Sequence, residues 1–397
     1  MNQLHCGYYS YNGKKYISRR HLLDDMLLVG DNSQVVYHFN DEVFNNIDWT
    51  REPTQDLKTL YKERAQQLRD SYEYIILSYS GGADSHEILK IFMENKIFID
   101  EVQVVHQYKL TKNIDKAQLH AETSLSMWLE FEKVAAPAIS ALSKVSPNTK
   151  ITLLDASDFI VDDITSMKYS YLGLDKFDTN ATFLVSTTPF ARNYFQHQHN
   201  SKYLNQGKKT CFLRGADKPN IKMFSNLLTF SFTDVTLHGV NLLTNRGMNE
   251  VYTIENFFWS PDAPLIPVKQ SHVLKYALET DIAFYANFML SQQQTFRHVE
   301  KNMSGFPHVV DFQRQYIKYI YSYYKDIKFA APKRTSISPE FRSVEILLNQ
   351  SSFTDALNEQ NNFYTTKYKN IENKALLNRT IATKHYNIGE INALWRS

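Results

Sequence analysis

Tyr74-Ile75-Ile76-Leu77 is a short continuous apolar run, and four residues after it stands the pair Gly81-Gly82. An apolar run of that length suits a strand buried on both faces of a parallel sheet. Beyond the glycines, Ser85–Asn95 carries Ile88, Leu89, Ile91 and Phe92 as an apolar stripe at helical spacing. A buried strand must therefore turn at once into a helix, and two glycines permit backbone angles that a Cβ forbids.

The same texture continues downstream. Strands are expected at Glu101–His106, through Val102, Val104 and Val105, at Ile151–Asp155 and at Thr210–Leu213. Residues 116–144 read as mostly helical, with Pro137 interrupting or ending one helix. Residues 171–203 are less regular, with a helix expected around Phe190–Gln198. This alternation predicts an α/β fold, a parallel twisted sheet flanked by helices and joined by right-handed crossovers.

Residues 1–70 read as an N-terminal extension. They hold one strand at Gln34–Phe39 and one helix at Asp56–Tyr72, where Leu57, Leu60, Tyr61, Ala65 and Leu68 recur at helical spacing and Thr54 is the candidate N-cap. Residues 71–270 hold the sheet. Residues 271–397 read as a mainly helical C-terminal part, with Phe312, Tyr316, Ile320 and Tyr324 on one helix face, a further helix opening at Ser343–Leu348, and a loosely defined tail over 356–397 rich in Asn, Lys and Thr. No internal repeat or low-complexity tract stands out.

Composition narrows the setting. With 397 residues, 43% of them hydrophobic, the chain can bury a sizeable core. The formal net charge of +2 advertises neither nucleic acid nor an acidic membrane as partner. Cys6 and Cys211 are the only cysteines, which excludes a disulfide framework and a Cys-based zinc cluster. The N-terminal residues have no signal-peptide core, and no run of about eighteen apolar residues occurs, so a cytoplasmic protein without a membrane span is expected.

The chemistry concentrates in Ser80-Gly81-Gly82-Ala83-Asp84-Ser85. Successive backbone N–H groups at a helix N-terminus face a concavity where the dipole favours an anion. One such helix end contributes only about 0.3–1 kcal/mol at an exposed site, so several donors and flanking hydroxyls are needed to hold a polyphosphate. Ser80 and Ser85 supply the hydroxyls. Asp84 would repel phosphate unless a cation lies between, and Mg²⁺, which takes one or two carboxylates plus phosphate oxygens, resolves that conflict.

This six-residue pattern after an apolar strand resembles the pyrophosphate loop of the N-type ATP pyrophosphatases. That superfamily includes the synthetase domain of asparagine synthetase, NAD synthetase, GMP synthetase and several tRNA-modifying ligases. The resemblance implies the fold of the adenine nucleotide alpha hydrolases and an ATP site in which the loop grips the β and γ phosphates. The α-phosphate is then open to attack, AMP is transferred and pyrophosphate leaves. The Gly-Lys-Ser/Thr tripeptide of the Walker loop does not occur in the chain.

Two more segments carry the resemblance, over residues 70–290. Cys211-Phe212-Leu213-Arg214-Gly215-Ala216-Asp217-Lys218-Pro219 is similar to the Gly-x-Gly-x-Asp segment that faces the first loop in asparagine synthetases, with Leu213 where the first glycine should be. Carried over, Asp217 becomes a second Mg²⁺ carboxylate beside Asp84, and Lys218 or Arg214 neutralises charge on the phosphates. Phe257-Phe258-Trp259-Ser260-Pro261-Asp262-Ala263-Pro264 reads as a rigid aromatic wall of the acceptor region, and Lys269 as the lysine set against the pentavalent phosphorus. The family implies adenine beside the first two strand ends, at Leu77, Ser78, Val105 and His106. Asp155, at the tip of the third strand, is a further pocket carboxylate.

Other features are discounted. His197 and His199 diverge at i and i+2 on a helix, and Cys211 in a strand reads as a small buried hydrophobe. Asn2 stands where an asparagine synthetase has its glutaminase cysteine, so no intrinsic glutaminase domain is expected. The expected function is an asparagine-synthetase-like adenylating ligase that uses ATP and Mg²⁺, activates a carboxylate or amide oxygen and joins it to an amine. The acceptor and the nitrogen source stay open. The alternatives are a tRNA- or DNA-base-modifying enzyme on the same loop, which needs a basic aromatic groove that Lys208-Lys209 is too short to supply, and a non-catalytic nucleotide-binding protein.

Overall fold

The computed structural model describes residues 7–29, 34–106, 109, 135–159, 162, 195, 196, 198–200, 202, 203, 207–215, 218–237, 252–297, 317–323, 366–371, 376 and 381–392. Asn12 and Gly13 both adopt positive φ, 47° and 72°, as the two central residues of a hairpin turn whose twist matches the strands it joins. They link β1 (Tyr8–Tyr11) to β2 (Lys14–Tyr16), while β3 (Val36–His38) pairs with the other edge of β1, all antiparallel. Two helices, α1 (Arg19–Val29) and the single turn α2 (Asp41–Phe44), complete this part. The N-terminal extension is thus a small sheet with helices, richer than its sequence suggested.

The next helix, α3 (Leu57–Ser71), buries the expected Leu57, Leu60, Tyr61, Ala65 and Leu68. Its cap is Asp56 rather than Thr54, because the Asp56 carboxylate accepts the Thr59 N–H at 2.7 Å. From there the chain alternates: β4 (Tyr74–Ser78), α4 (Ala83–Glu94), β5 (Glu101–His106), α5 (Ala136–Val145), β6 (Lys150–Asp155) and β7 (Thr210–Arg214). Pro137 opens α5 instead of ending a helix, in the first turn where its missing N–H has no intrahelical partner to lose. A hairpin follows, β8 (Asn220–Phe224) and β9 (Leu227–Ser231), then β10 (Tyr252–Asn256), α6 (Leu265–Thr280) and α7 (Ile282–Arg297).

β4, β5, β6, β7 and β10 form one parallel sheet in the order β10-β7-β4-β5-β6. Ranked by appearance in the chain, the order is 3-2-1-4-5, that of a doubly wound sheet. α4 and α5 pack on the face of Ile75, Leu77, Val102, Val104, Cys211 and Leu213, which belongs to the main core. The opposite face bears Ile76 and Phe212, packed with Tyr203 from the return toward β7.

The part after residue 270 is not helical throughout. Beside α6, α7 and a turn at 317–320, residues 386–390 form β11 (Tyr386–Glu390), antiparallel to β9. The expected loose tail therefore contains a strand of the structure. Its Tyr386 stacks on Trp49 at 4.6 Å, and Trp49 stacks on Phe230 of β9 at 5.0 Å. The expected helix face of Phe312, Tyr316 and Tyr324, and the helix at Ser343–Leu348, lie outside the described residues. No helix among the described residues is long and apolar enough to cross a membrane.

The sheet face under Tyr203 is polar where a core would be apolar. Glu101, fully buried, accepts from Thr152 Oγ1 at 2.6 Å, Gln103 Nε2 and Tyr74 OH at 2.9 Å, Lys150 Nζ at 3.2 Å and the Tyr203 hydroxyl. Burial pushes its carboxyl up, but the hydrogen bonds led by Thr152 and Tyr203 outweigh burial and hold it at about 2, below its ordinary 4.5. A depressed carboxyl contributes stability that is present above its unfolded pKa and lost as pH falls through the folded one. Unfolding free energy from urea titrations should therefore decline between about pH 4.5 and pH 2, by roughly 3 kcal/mol from this group. Glu101→Gln should be less stable at pH 7 and lose that part of the slope; an unchanged slope would remove Glu101 as its source.

Candidate functional site

In a doubly wound sheet the ligand crevice opens at the carboxyl edge, where successive connections leave in opposite directions. Here that point lies between β4 and β7, paired Leu77 to Leu213, so the segments after Ser78 and after Arg214 face the same crevice. The two sequence clusters that carried the resemblance meet there.

The first cluster turns sharply. Gly81 has φ +83°, the left-handed region, and Gly82 at φ −71° and ψ 164° is the N-cap of α4. Gly82 offers no side chain to cap the helix, and the first intrahelical bond is His86 N–H to Gly82 O at 2.9 Å. The N–H groups of Ala83, Asp84 and Ser85 precede that bond and project from the helix end. The serines brace the loop from within: the Ser80 N–H donates to Ser85 Oγ at 3.2 Å, the Gly82 N–H to Ser80 Oγ at 3.1 Å, and Ser85 Oγ to Gly82 O at 3.2 Å. Ser80 is exposed, Gly82, Ala83 and Asp84 are half-buried, and Gly81 and Ser85 are buried.

The second cluster locks onto the first. Lys218 Nζ donates to Asp84 Oδ2 at 2.5 Å, with about a fifth of each side chain exposed. A Cβ on Gly215 would stand 2.9 Å from Asp84 Cβ and 3.2 Å from Ile88 Cδ1, so glycine is what allows β7 to deliver its end against α4. Arg214 Nε donates to Asn256 Oδ1 at 3.0 Å, which fixes this cation at the end of the next strand, β10. Asp217 and Ala216 lie outside the described residues.

The remaining expected site residues are placed as follows. Ser78 Oγ donates to Gln196 Oε1 at 3.3 Å, and Gln196 Nε2 to Gln103 Oε1 at 3.1 Å. His106 Nδ1 stands 3.9 Å from Asp155 Oδ2, the ends of β5 and β6 side by side. Lys269 Nζ reaches away into the N-terminal extension, to Glu52 Oε1 at 2.6 Å and Pro53 O at 2.9 Å. Phe257, Phe258 and Trp259 are fully buried and back the site rather than line it. Cys211 is buried within β7, and burial pushes its thiol well up, the state of an inert structural cysteine.

Three participants escaped the sequence reading. Tyr321 donates its hydroxyl to Asp84 Oδ1 at 2.5 Å, and Glu87 accepts the N–H groups of Ser322 and Tyr323 at 2.8 Å each. Gln196 ties Ser78 to the polar sheet face. The available signal was Asp84 and Glu87 themselves, two acids at i and i+3 that share one face of a helix whose next residue belongs to its apolar stripe. Among the described residues no group of three or more His, Cys, Asp or Glu is placed to hold a metal.

Compared with known proteins, the chain matches no family model and no curated sequence. Gly215→Ala tests how tightly the two clusters are joined. The added methyl cannot fit without moving Asp84 or Ile88, and overpacking of this kind costs about 1–3 kcal/mol. A lower melting temperature is expected, whereas an unchanged one would mean that the loop gives way freely.

Proposed function

We propose that the chain binds ATP through Ser80–Ser85 and transfers its adenylyl group to an acceptor oxygen, as an asparagine-synthetase-like ligase. The observation that carries this is the meeting, at the switch point of a 3-2-1-4-5 parallel sheet, of a glycine-turned helix N-terminus with Asp84 and Lys218. Projecting N–H groups of Ala83, Asp84 and Ser85 and the Ser80 hydroxyl suit the oxygens of a polyphosphate. Lys218 and Arg214 suit the charge that builds on them during transfer. Ser78 and His106, at the ends of adjacent strands, suit the base.

The residues fit a magnesium ion brought in with its nucleotide. Asp84 offers one carboxylate, and with no larger acidic cluster among the described residues, other ligands would come from phosphate and water, the usual arrangement for this ion. Asp84 would hold the ion, which would supply positive charge against the phosphate oxygens. The acceptor oxygen bonds to the α-phosphorus as the α–β bridge breaks and pyrophosphate leaves. An amine then bonds to the activated carbon, AMP leaves, and the amine proton passes to solvent. Holding both reactants in place can contribute roughly 7–11 kcal/mol to such a reaction.

The base-modifying alternative needs a basic, aromatic-lined groove beside the loop. Lysines do gather on tyrosines: Lys150 and Lys202 lie over Tyr203, Lys208 over Tyr74 and Lys209 over Tyr72. These stand at the amino edge of the sheet, about 15 Å from the loop at ~3.3 Å per strand residue. That placement favours a small acceptor.

Nucleotide products formed from Mg²⁺-ATP, with pools of amino acids, carboxylates, ammonia and nucleic acid, test the proposal. Wild type should release AMP and pyrophosphate in equal amounts, and Asp84→Asn and Lys218→Ala should lower that release on the order of 100-fold. Stimulation by one pool names the acceptor class. Release of ADP instead, or no release with any pool, sinks the ligase reading.

A further inference from the structure

We propose that residues 317–323 are part of the nucleotide site, with Tyr321 as a positioning residue for the Asp84 carboxylate; this deepens, and rests on, the reading of Ser80–Ser85 as a Mg²⁺-ATP loop. The contact spans 237 positions of sequence, yet it falls on the carboxylate that the proposed reading assigns to the cation.

Asp84 is held at both oxygens. Lys218 takes Oδ2 and the Tyr321 hydroxyl takes Oδ1 at 2.5 Å. The two holders differ in kind. Lys218 ends a flexible stem and is partly exposed, so its ammonium can be exchanged for another cation. Tyr321 is buried, and its ring stacks on the fully buried Phe258 at 5.2 Å and 24°. Its hydroxyl cannot leave Asp84 unless the segment moves. One oxygen is thus fixed while the other is open to exchange, which is what a carboxylate needs to meet an arriving cation without first losing its own orientation.

The segment is itself pinned to the helix of the loop. Both oxygens of Glu87, one turn beyond Asp84 on α4, accept backbone N–H groups, from Ser322 and Tyr323 at 2.8 Å each. On the other side Tyr61 OH donates to Ile320 O at 2.7 Å and accepts from Gln270 Nε2 at 2.8 Å. Glu87 is buried, so these bonds are shielded from water and stronger for it. Loop and segment therefore move together, and events at the phosphates are felt in the C-terminal part of the chain.

The test uses the full chain and three variants. Tyr321→Phe keeps the ring and its stacking on Phe258 and removes only the hydroxyl. Glu87→Gln keeps the shape but offers an amide where a second acceptor is needed. Asp84→Asn, which keeps the shape of the proposed magnesium ligand and removes its charge, serves as reference. ATP binding is measured by calorimetry across a Mg²⁺ titration and again in EDTA, with melting temperature as a folding check. Hydrogen exchange over 317–323 is followed with and without Mg²⁺-ATP.

In Tyr321→Phe the Mg²⁺ concentration for half-maximal ATP binding should rise on the order of 10- to 100-fold, with affinity in EDTA unchanged. Mg²⁺-ATP should slow exchange over 317–323 in wild type and fail to do so in Glu87→Gln. If wild type shows Mg²⁺-dependent binding and Tyr321→Phe has the same requirement, the positioning role is wrong while the nucleotide site stands. Equal weakening with and without Mg²⁺ would reduce Tyr321 to a packing residue and also overturn the role. If wild type binds no ATP at all, the nucleotide site and the inference fall together.

Discussion

The parallel pairing of β7 with β4 carries the chain across the sheet and opens a crevice at one edge only. Thr210–Leu213 aligns with Tyr74–Leu77, so the two strands end level, and whatever follows each of them must share the space beyond. Gly215 then brings its backbone against Asp84, close enough that a methyl group would collide. Lys218, three residues beyond Gly215, donates to the same carboxylate. Had β7 paired with β6 instead, the glycine turn and the cationic segment would stand on opposite flanks of the sheet.

Buried charges hold the rest of the molecule to this sheet. Arg64 of α3 pairs with Glu255 of β10 at 2.7 Å, and Tyr72 donates to the second Glu255 oxygen at 2.6 Å. Arg19 of α1 pairs with Asp234, which also accepts from Tyr9 OH at 2.6 Å and from the Ile381 N–H at 3.1 Å. Such pairs add little net stability, because desolvation offsets their attraction, but removing one partner leaves a buried charge and costs about 3–5 kcal/mol. Asp234 ties α1, β1 and the C-terminal segment to the turn after β9.

What could be read from sequence followed from local rules. The strand at Tyr74–Leu77, the double glycine, the stripes of α3 and α4 and the strand at Glu101–His106 each announce themselves within a dozen residues, and the structure has them all. The Asn12-Gly13 hairpin went unread, although that dipeptide between strand-like residues is a strong turn signal. Thr54 was read by the right rule at the wrong position, because an aspartate two residues later made the better cap, and Pro137 was read as a helix breaker where it opens a helix. β8, β9 and β11 were not legible. Their pairing joins residue 227 to residue 390, and the aromatic cluster of Trp49, Phe230 and Tyr386, together with the Asp234 contact to Ile381, holds the polar C-terminal stretch there. Tyr321 was hidden for the same reason: nothing within its own neighbourhood hints at a partner on α4.

Asp84 is where these constraints converge. A carboxylate at a helix N-terminus is favourable by its dipole alone, which is reason enough for an acid in the first turn of α4. That reason would leave the side chain solvated and its partners interchangeable. Instead Asp84 meets an ammonium from the end of β7 and a buried phenol from the C-terminal part, while the flanking N–H groups project toward the same crevice. A carboxylate needs one cation for neutrality, and Lys218 already provides it. An anion entering the crevice changes that balance, because it competes for Lys218 and leaves Asp84 in want of positive charge. A divalent cation arriving with the phosphate offsets part of that negative charge and gives Asp84 a new partner, which phosphate alone does not. On the proposed reading, this is why the nucleotide would arrive with its cation.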